Sequence, residues 1–254
     1  MTEASKLDKS KNTTNSAEGS MYLYDQPEYL SREAHETLGW SMPEAPYAFA
    51  KGVSSIPLVV TEIPAAQKYY PIVFSGKENG QPLAILSTVS GDNVFVSDGI
   101  WEKDYYIPAY LRRHPFATVQ GEGNKVAVVI DRGSEGIVEN SDLPFFEDGN
   151  ISKDTQSMID FSVQYEHDRL TTQNFMKTML SLDLLSEQHV GQSVDGKDRT
   201  FANFISINGE NFNALSSEHL ASLHEQGYLA FIYGQLFSQE HWGKLISRIP
   251  PSAS

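Results

Sequence analysis

The sequence predicts an α+β protein, with an antiparallel sheet over about residues 55–131, able to curl toward a barrel, packed with C-terminal helices. Two patterns and a composition predict it. In the first half, short apolar runs rich in β-branched residues alternate with turn residues, as in a meander of strands. Beyond about residue 155 the apolar residues recur at helical spacing instead. With 254 residues, 40% of them hydrophobic and 20% charged, the chain can bury a substantial core. A single folded unit over residues 21–249 is expected, with a β-rich lobe at about 55–131 and a helical lobe at about 155–248.

Residues 1–20 are polar without periodicity, and the closing PPSAS is similar, so both are expected to be disordered. SIPLVV (55–60) and PIVF (71–74) read as strands. EIPAAQKYY between them reads as one or two helical turns with Pro64 at the start. KENGQ (77–81) contains Asn-Gly and predicts a hairpin into PLAILSTV. SGDN (90–93) is a turn before VFV, and FATV and KVAVVI flank QGEGN as a further hairpin. The acidic stretch 133–154 reads as a long surface loop. Met158, Phe161, Tyr165, Thr172, Phe175, Met179 and Leu182 predict a helix or two over about 155–185. VDGKDRTFANFISI reads as a hairpin arm returning to a sheet. SSEHLASLHEQG carries Ser caps and a Gly227 stop, and helical segments follow at about 228–237 and 240–248. Their Tyr228, Phe231, Tyr233 and Trp242 read as core or, where exposed, as a surface for a homodimer or another partner.

Composition narrows the function. The chain holds 33 Asp and Glu against 19 Lys and Arg, a formal net charge of −14. Such a surface repels the phosphates of nucleic acid and anionic lipid, so neither is expected as a partner. No stretch approaches the ~20 apolar residues that span a bilayer, so no membrane insertion is expected. No apolar segment of secretory type opens the sequence, and a cytoplasmic location is expected. The absence of cysteine removes disulfides, thiolate zinc sites, iron–sulfur clusters and a cysteine nucleophile.

Catalytic and ligand motifs are missing. There is no H-E-x-x-H, no His-x-Asp/Glu and no G-x-S-x-G. His219 and His224 are five apart and fall on different helix faces. Glu139, Asp142, Glu147, Asp148 and Asp154 miss the spacing of a calcium loop. GQSVDGKD (191–198) has the G-x4-G-K spacing of a phosphate loop, but Asp198 stands where a Mg²⁺-binding hydroxyl belongs, so an Asp-Gly hairpin turn is the better reading. No catalytic residue, metal or cofactor is assigned.

One stretch stands apart. DYYIPAYLRRHPFATV (104–119) sets Arg112, Arg113 and His114 among aromatics in an acidic chain. Pro108 suits the first turn of a short helix, cations suit its last turn, and a residue before proline tends to end it. Tyr106, Ile107, Tyr110 and Phe116 would then be core. Neighbouring helical residues point about 100° apart, so only one arginine serves a given face. One is expected to pair with an acidic group of the chain, such as one in 139–154, leaving the other for an anion or a partner's carboxylate. Arg112 and Arg113, with Trp101, Tyr105 and Tyr110 around them, have the composition of an interface hot spot and are the candidate partner- or anion-binding residues.

MYLYDQPEYLSREAH, SIPLVVTEIPAAQKYYPIVFSG, NVFVSDGIWEKDYYIPAYLRRHPFATV and LHEQGYLAFIYGQLFSQEHWGKLI, spread over roughly residues 21–248, resemble the bacterial SapC-like family. The resemblance implies an association with surface layers in one bacterial group. Elsewhere it implies a setting beside TonB-dependent receptors, tryptophan halogenases and cupin-like proteins. It supplies no catalytic residues. The expected function is a non-enzymatic cytoplasmic accessory protein acting with a protein or peptide partner in a surface, uptake or modification system. The alternatives are an enzyme with no familiar motif, dependent on a metal or 2-oxoglutarate, and a structural surface-layer component.

Overall fold

The computed structural model describes residues 21–120, 126–194 and 197–249. The N-terminal segment forms β1 (Pro27–Tyr29), α1 (Arg32–His35), β2 (Leu38–Trp40) and β3 (Ser55–Pro57). There follow α2 (Ile63–Ala66), β4 (Ile72–Phe74), β5 (Pro82–Ile85), β6 (Val96–Ser97), β7 (Ile100–Trp101) and α3 (Ala109–Arg112). The middle holds β8 (Phe116–Gln120), β9 (Val126–Asp131), β10 (Ile137–Glu139), β11 (Leu143–Pro144), β12 (Phe146–Glu147) and β13 (Asn150–Ile151). The C-terminal part comprises α4 (Lys153–Ser181), β14 (Leu185–Val194), β15 (Lys197–Ile207), α5 (Gly209–Asn213), α6 (Ser217–Glu225), α7 (Leu229–Ser238) and α8 (Trp242–Ser247).

The fold is α+β and its sheets are antiparallel, as predicted. The strands within 55–131 divide between sheets, however. One has five strands in the order β14-β15-β4-β5-β3, and another has three in the order β1-β9-β8. Strands 55–85 find their outer neighbour in β15 and strands 116–131 find theirs in β1, so among the described residues both sheets stay open instead of closing into a barrel. The hairpin arm β14–β15 joins β4 through Ile205 opposite Phe74.

Where β15 diverges, a helix takes over the work of a strand. The Ile72 N–H donates to Ser238 Oγ at 3.0 Å, and its carbonyl accepts from Gln235 Nε2 at 2.9 Å and Gln239 Nε2 at 2.7 Å. A strand edge buried without such partners would be costly. Gln235 is fully buried and also accepts from the Ile207 N–H at 3.3 Å, so it ties β4, β15 and α7 together.

The main core draws on both halves of the chain. Ile56, Ile63, Tyr70, Ile72 and Leu86 are fully buried in it together with Phe175, Met179, Leu184 and Ile232. Trp242 and Tyr228 are also core, whereas Tyr233 and Phe237 are exposed. A second cluster of Leu38, Phe116, Ile130, Ile137 and Phe145 lies under the smaller sheets.

Residues 133–154 are more than a surface loop. β10 and β11 pair on either side of β2, and Phe145 is fully buried. Asp148-Gly149, both at positive φ, turns β12 into β13. Glu139, Asp142, Glu147, Asp148 and Asp154 remain exposed around that buried ring.

The predicted helix at 155–185 is a single one, capped by Ser152, whose hydroxyl accepts from the Thr155 N–H at 3.2 Å. Its buried stripe is Thr155, Ile159, Ser162, Tyr165, Thr172, Phe175, Met176 and Met179, one residue off the predicted stripe in its first turns. Ser216 caps α6, and Gly227 at φ +74° follows its end, as expected. The tail 1–20, the turn residues 121–125, the Asp-Gly tip at 195–196 and PPSAS lie outside the described residues. β8 pairs with β9, and β14 with β15, on either side of those two turns. Among the described residues no helix is long and apolar enough to cross a membrane.

Candidate functional site

The stretch around Arg112 builds the candidate site. Pro108 stands at the N-cap of α3, one place before the helix, and Glu62 supplies the missing cap. Its buried carboxylate accepts from the Ala109 N–H at 2.6 Å, the Val59 N–H at 3.0 Å and the Tyr106 hydroxyl at 2.9 Å. Burial pushes the Glu62 carboxyl above the usual glutamate range, and these three donors oppose the shift. The helix is thereby fixed at its start, and the two arginines leave its end in different directions.

Arg113 turns inward and is 4% exposed. Its guanidinium carbon lies 4.4 Å from the Tyr110 ring and 4.3 Å from the Tyr165 ring, and Nη1 reaches Glu166 on α4 at 3.4 Å. The internal partner of the pair is thus Glu166, not the 139–154 segment, because α4 packs along this face of β8. Arg112 turns outward and is exposed. Nε donates to the Ile107 carbonyl at 2.9 Å, and Nη2 to the Tyr106 hydroxyl at 3.1 Å. The Phe161 ring lies 5.0 Å from its guanidinium carbon.

The aromatic candidates separate. Tyr110 is buried beside Arg113. Trp101 and Tyr105 gather elsewhere: the Asp98-Gly99 turn folds β7 back on β6, stacking Trp101 on Phe95 at 6.3 Å. Tyr105 packs on Phe95 at 5.2 Å and on the guanidinium of Arg248, which pairs with Glu102. Of the predicted core, Phe116 is buried, while Tyr106 and Ile107 are only partly so.

His114 and Asp131 form a pair at the site that the sequence reading did not assign. The His114–Pro115 bond is cis, and His114 Nε2 meets Asp131 Oδ2 at 3.0 Å. Asp131, 3% exposed, also accepts the N–H groups of Asp25 at 3.1 Å, Gln26 at 2.8 Å and Gly133 at 3.2 Å. Burial pushes its carboxyl up, but the hydrogen bonds from His114, Gln26 and Asp25 outweigh it and hold it below the usual aspartate range. An ionised carboxylate at this distance accepts from the imidazole, which places a proton on Nε2. Nδ1 then has no hydrogen-bond partner among the described residues. The ring stacks on Phe49 at 4.1 Å and meets the edge of Tyr24 at 5.2 Å.

His114 and Arg112 line one cleft of about 550 Å³. Trp40, Met42, Pro43, Pro46, Tyr47 and Phe49 wall it, and Asp25 and Glu135 lie on the segments around Asp131. Chemically, Nδ1 can accept a hydrogen bond from a ligand. Arg112 adds a fixed cation. Among the described residues no three His, Asp or Glu side chains are grouped to hold a metal ion.

No curated protein and no solved structure matches the chain. The family model described as SapC matches residues 30–245, a span that contains α3, His114, Asp131 and all of the cleft wall apart from Leu23 and Asp25. By that match over most of its length, the chain belongs to the SapC family.

Proposed function

We propose that the protein is a non-enzymatic accessory protein of the cytoplasm that holds a protein or peptide partner in the cleft beside α3. A carboxylate of the partner meets Arg112, and an adjacent apolar side chain lies on Tyr47, Phe49 and Trp40. The observation that carries this reading is the state of Arg112. Nε and Nη2 are anchored on the protein itself, so the guanidinium is oriented before any ligand arrives, while Nη1 makes no hydrogen bond among the described residues. A preorganised cation that lines the same cleft as an aromatic and proline wall suits a short acidic-aromatic segment.

The test is selection of random displayed peptides on the wild-type protein and on Arg112→Ala. Arg112 is exposed, so the variant should lose less than about 1 kcal/mol of stability. Wild type should enrich peptides that pair an acidic residue with an aromatic or aliphatic one, and Arg112→Ala should lose them. Enrichment of the same peptides by both proteins, or of none by wild type, refutes the assignment.

A further inference from the structure

Arg113 presents a charge imbalance that the cleft does not resolve. Its side chain is 5% exposed, and its one carboxylate partner, Glu166, stands at 3.4 Å. Glu166 gives its other oxygen to Arg169 at 2.6 Å. Among the described residues, two guanidiniums therefore share one carboxylate. Arg113 Nε is buried with no hydrogen-bond acceptor. The Tyr110 and Tyr165 rings offset part of the cost of burying this cation, but its single, long carboxylate contact and idle Nε leave the charge only partly compensated.

A pocket of about 410 Å³ opens beside this pair, between α4 and the edge of β3 and β5. Arg113 and Arg169 line it, and Tyr110, Tyr165, Pro57 and Leu83 give it apolar walls. The Tyr110 and Tyr165 rings meet at 68°, forming a corner behind the guanidinium. The surplus is one positive charge, and the walls are those of a small organic body. Phosphate carries nearly two charges at neutral pH, about twice that surplus, and Ser55, Ser75 and Gln81 supply the few neutral polar groups of the lining.

We propose that this pocket binds a monocarboxylate on a compact apolar body. The carboxylate completes Arg113 and Arg169 in competition with Glu166, and the body rests on Tyr110, Tyr165 and Leu83. The site is separate from the Arg112 cleft and does not depend on it.

Calorimetric titration of the full chain with sodium benzoate tests this, with sodium phosphate as comparator and ionic strength held by chloride. Wild type should bind benzoate saturably and phosphate more weakly. Glu166→Gln removes the competing carboxylate from a partly exposed position and should tighten benzoate roughly tenfold, the scale of one charge-assisted hydrogen bond. Arg113→Lys keeps the charge but loses the fork and should weaken it about as much, and both shifts should persist in an Arg112→Ala background. No saturable benzoate binding overturns the proposal, as does affinity that Glu166→Gln leaves unchanged or weakens. Preference for phosphate overturns the carboxylate assignment. Loss of benzoate in Arg112→Ala alone would move the binding to the cleft and overturn the second site.

Discussion

Asp131→Asn is the sharpest perturbation of the site. Each carboxylate oxygen takes two donors: Oδ2 from His114 and Asp25, and Oδ1 from Gln26 and Gly133. Asparagine can keep only one oxygen, and its amide would face two N–H donors with nothing to accept. Two hydrogen bonds to a charged acceptor are lost, at about 1.5 kcal/mol each, so about 3 kcal/mol of stability should go. For a chain of this size that lowers Tm by about 6–12 °C. The sign of the pH dependence follows from the carboxyl being held below its ordinary range in the folded state. The folded protein keeps the charge that the unfolded chain gives up, so the contribution is complete above the unfolded value of about 4. It drains away as pH falls through the lower folded value. Urea unfolding of both proteins at neutral pH and in steps down to about pH 3 measures it. The gap should be about 3 kcal/mol at pH 7 and should narrow only below about pH 4. A gap under about 1 kcal/mol, or one that persists unchanged in acid, would refute the assignment of Asp131 as the ionised anchor of His114.

Other substitutions probe the frame of the cleft. Gly99 turns β6 into β7 at φ +74°, and a Cβ there would sit 2.4 Å from the Cβ of Ala45 in the cleft wall. Gly99→Ala should cost about 3 kcal/mol by thermal or urea unfolding, since backbone strain and overlap add. Gln235→Leu keeps the volume but orphans the Ile207 N–H and leaves Ser206 Oγ without its donor. It should cost about 2–4 kcal/mol, and amide exchange at Ile207 should accelerate.

Legibility from sequence followed the range of the interactions. Helix caps, the Asn-Gly hairpin and the Gly227 stop involve a few neighbouring residues and were readable. Asp98-Gly99 and Asp148-Gly149 are equally strong turn signals, but the strands they join have two residues each, too short to show alternation. The His114–Asp131 pair was within reach. Pairing Phe116 with Ile130 sets Pro115 opposite Asp131, so a committed register for that hairpin brings the imidazole to the carboxylate. The choice between Arg112 and Arg113 was not within reach. Which one turns inward depends on where α4 docks, and nothing near residue 113 encodes Glu166. Trp101 and Tyr105 were grouped with the arginines by adjacency in sequence, which a two-residue turn is enough to undo.

The closure of Ile72 has a consequence for how the protein is made. The side chains that seal this strand edge lie 163 and 166 residues further along the chain. At ordinary synthesis rates, on the order of ten seconds separates the emergence of β4 from that of α7. Throughout that interval the nascent β4–β5 pair carries an open, apolar edge of the kind that recruits foreign strands. The N-terminal half leaves the ribosome as a template still awaiting its own last helices, and its dependence on chaperones should be greatest in that interval.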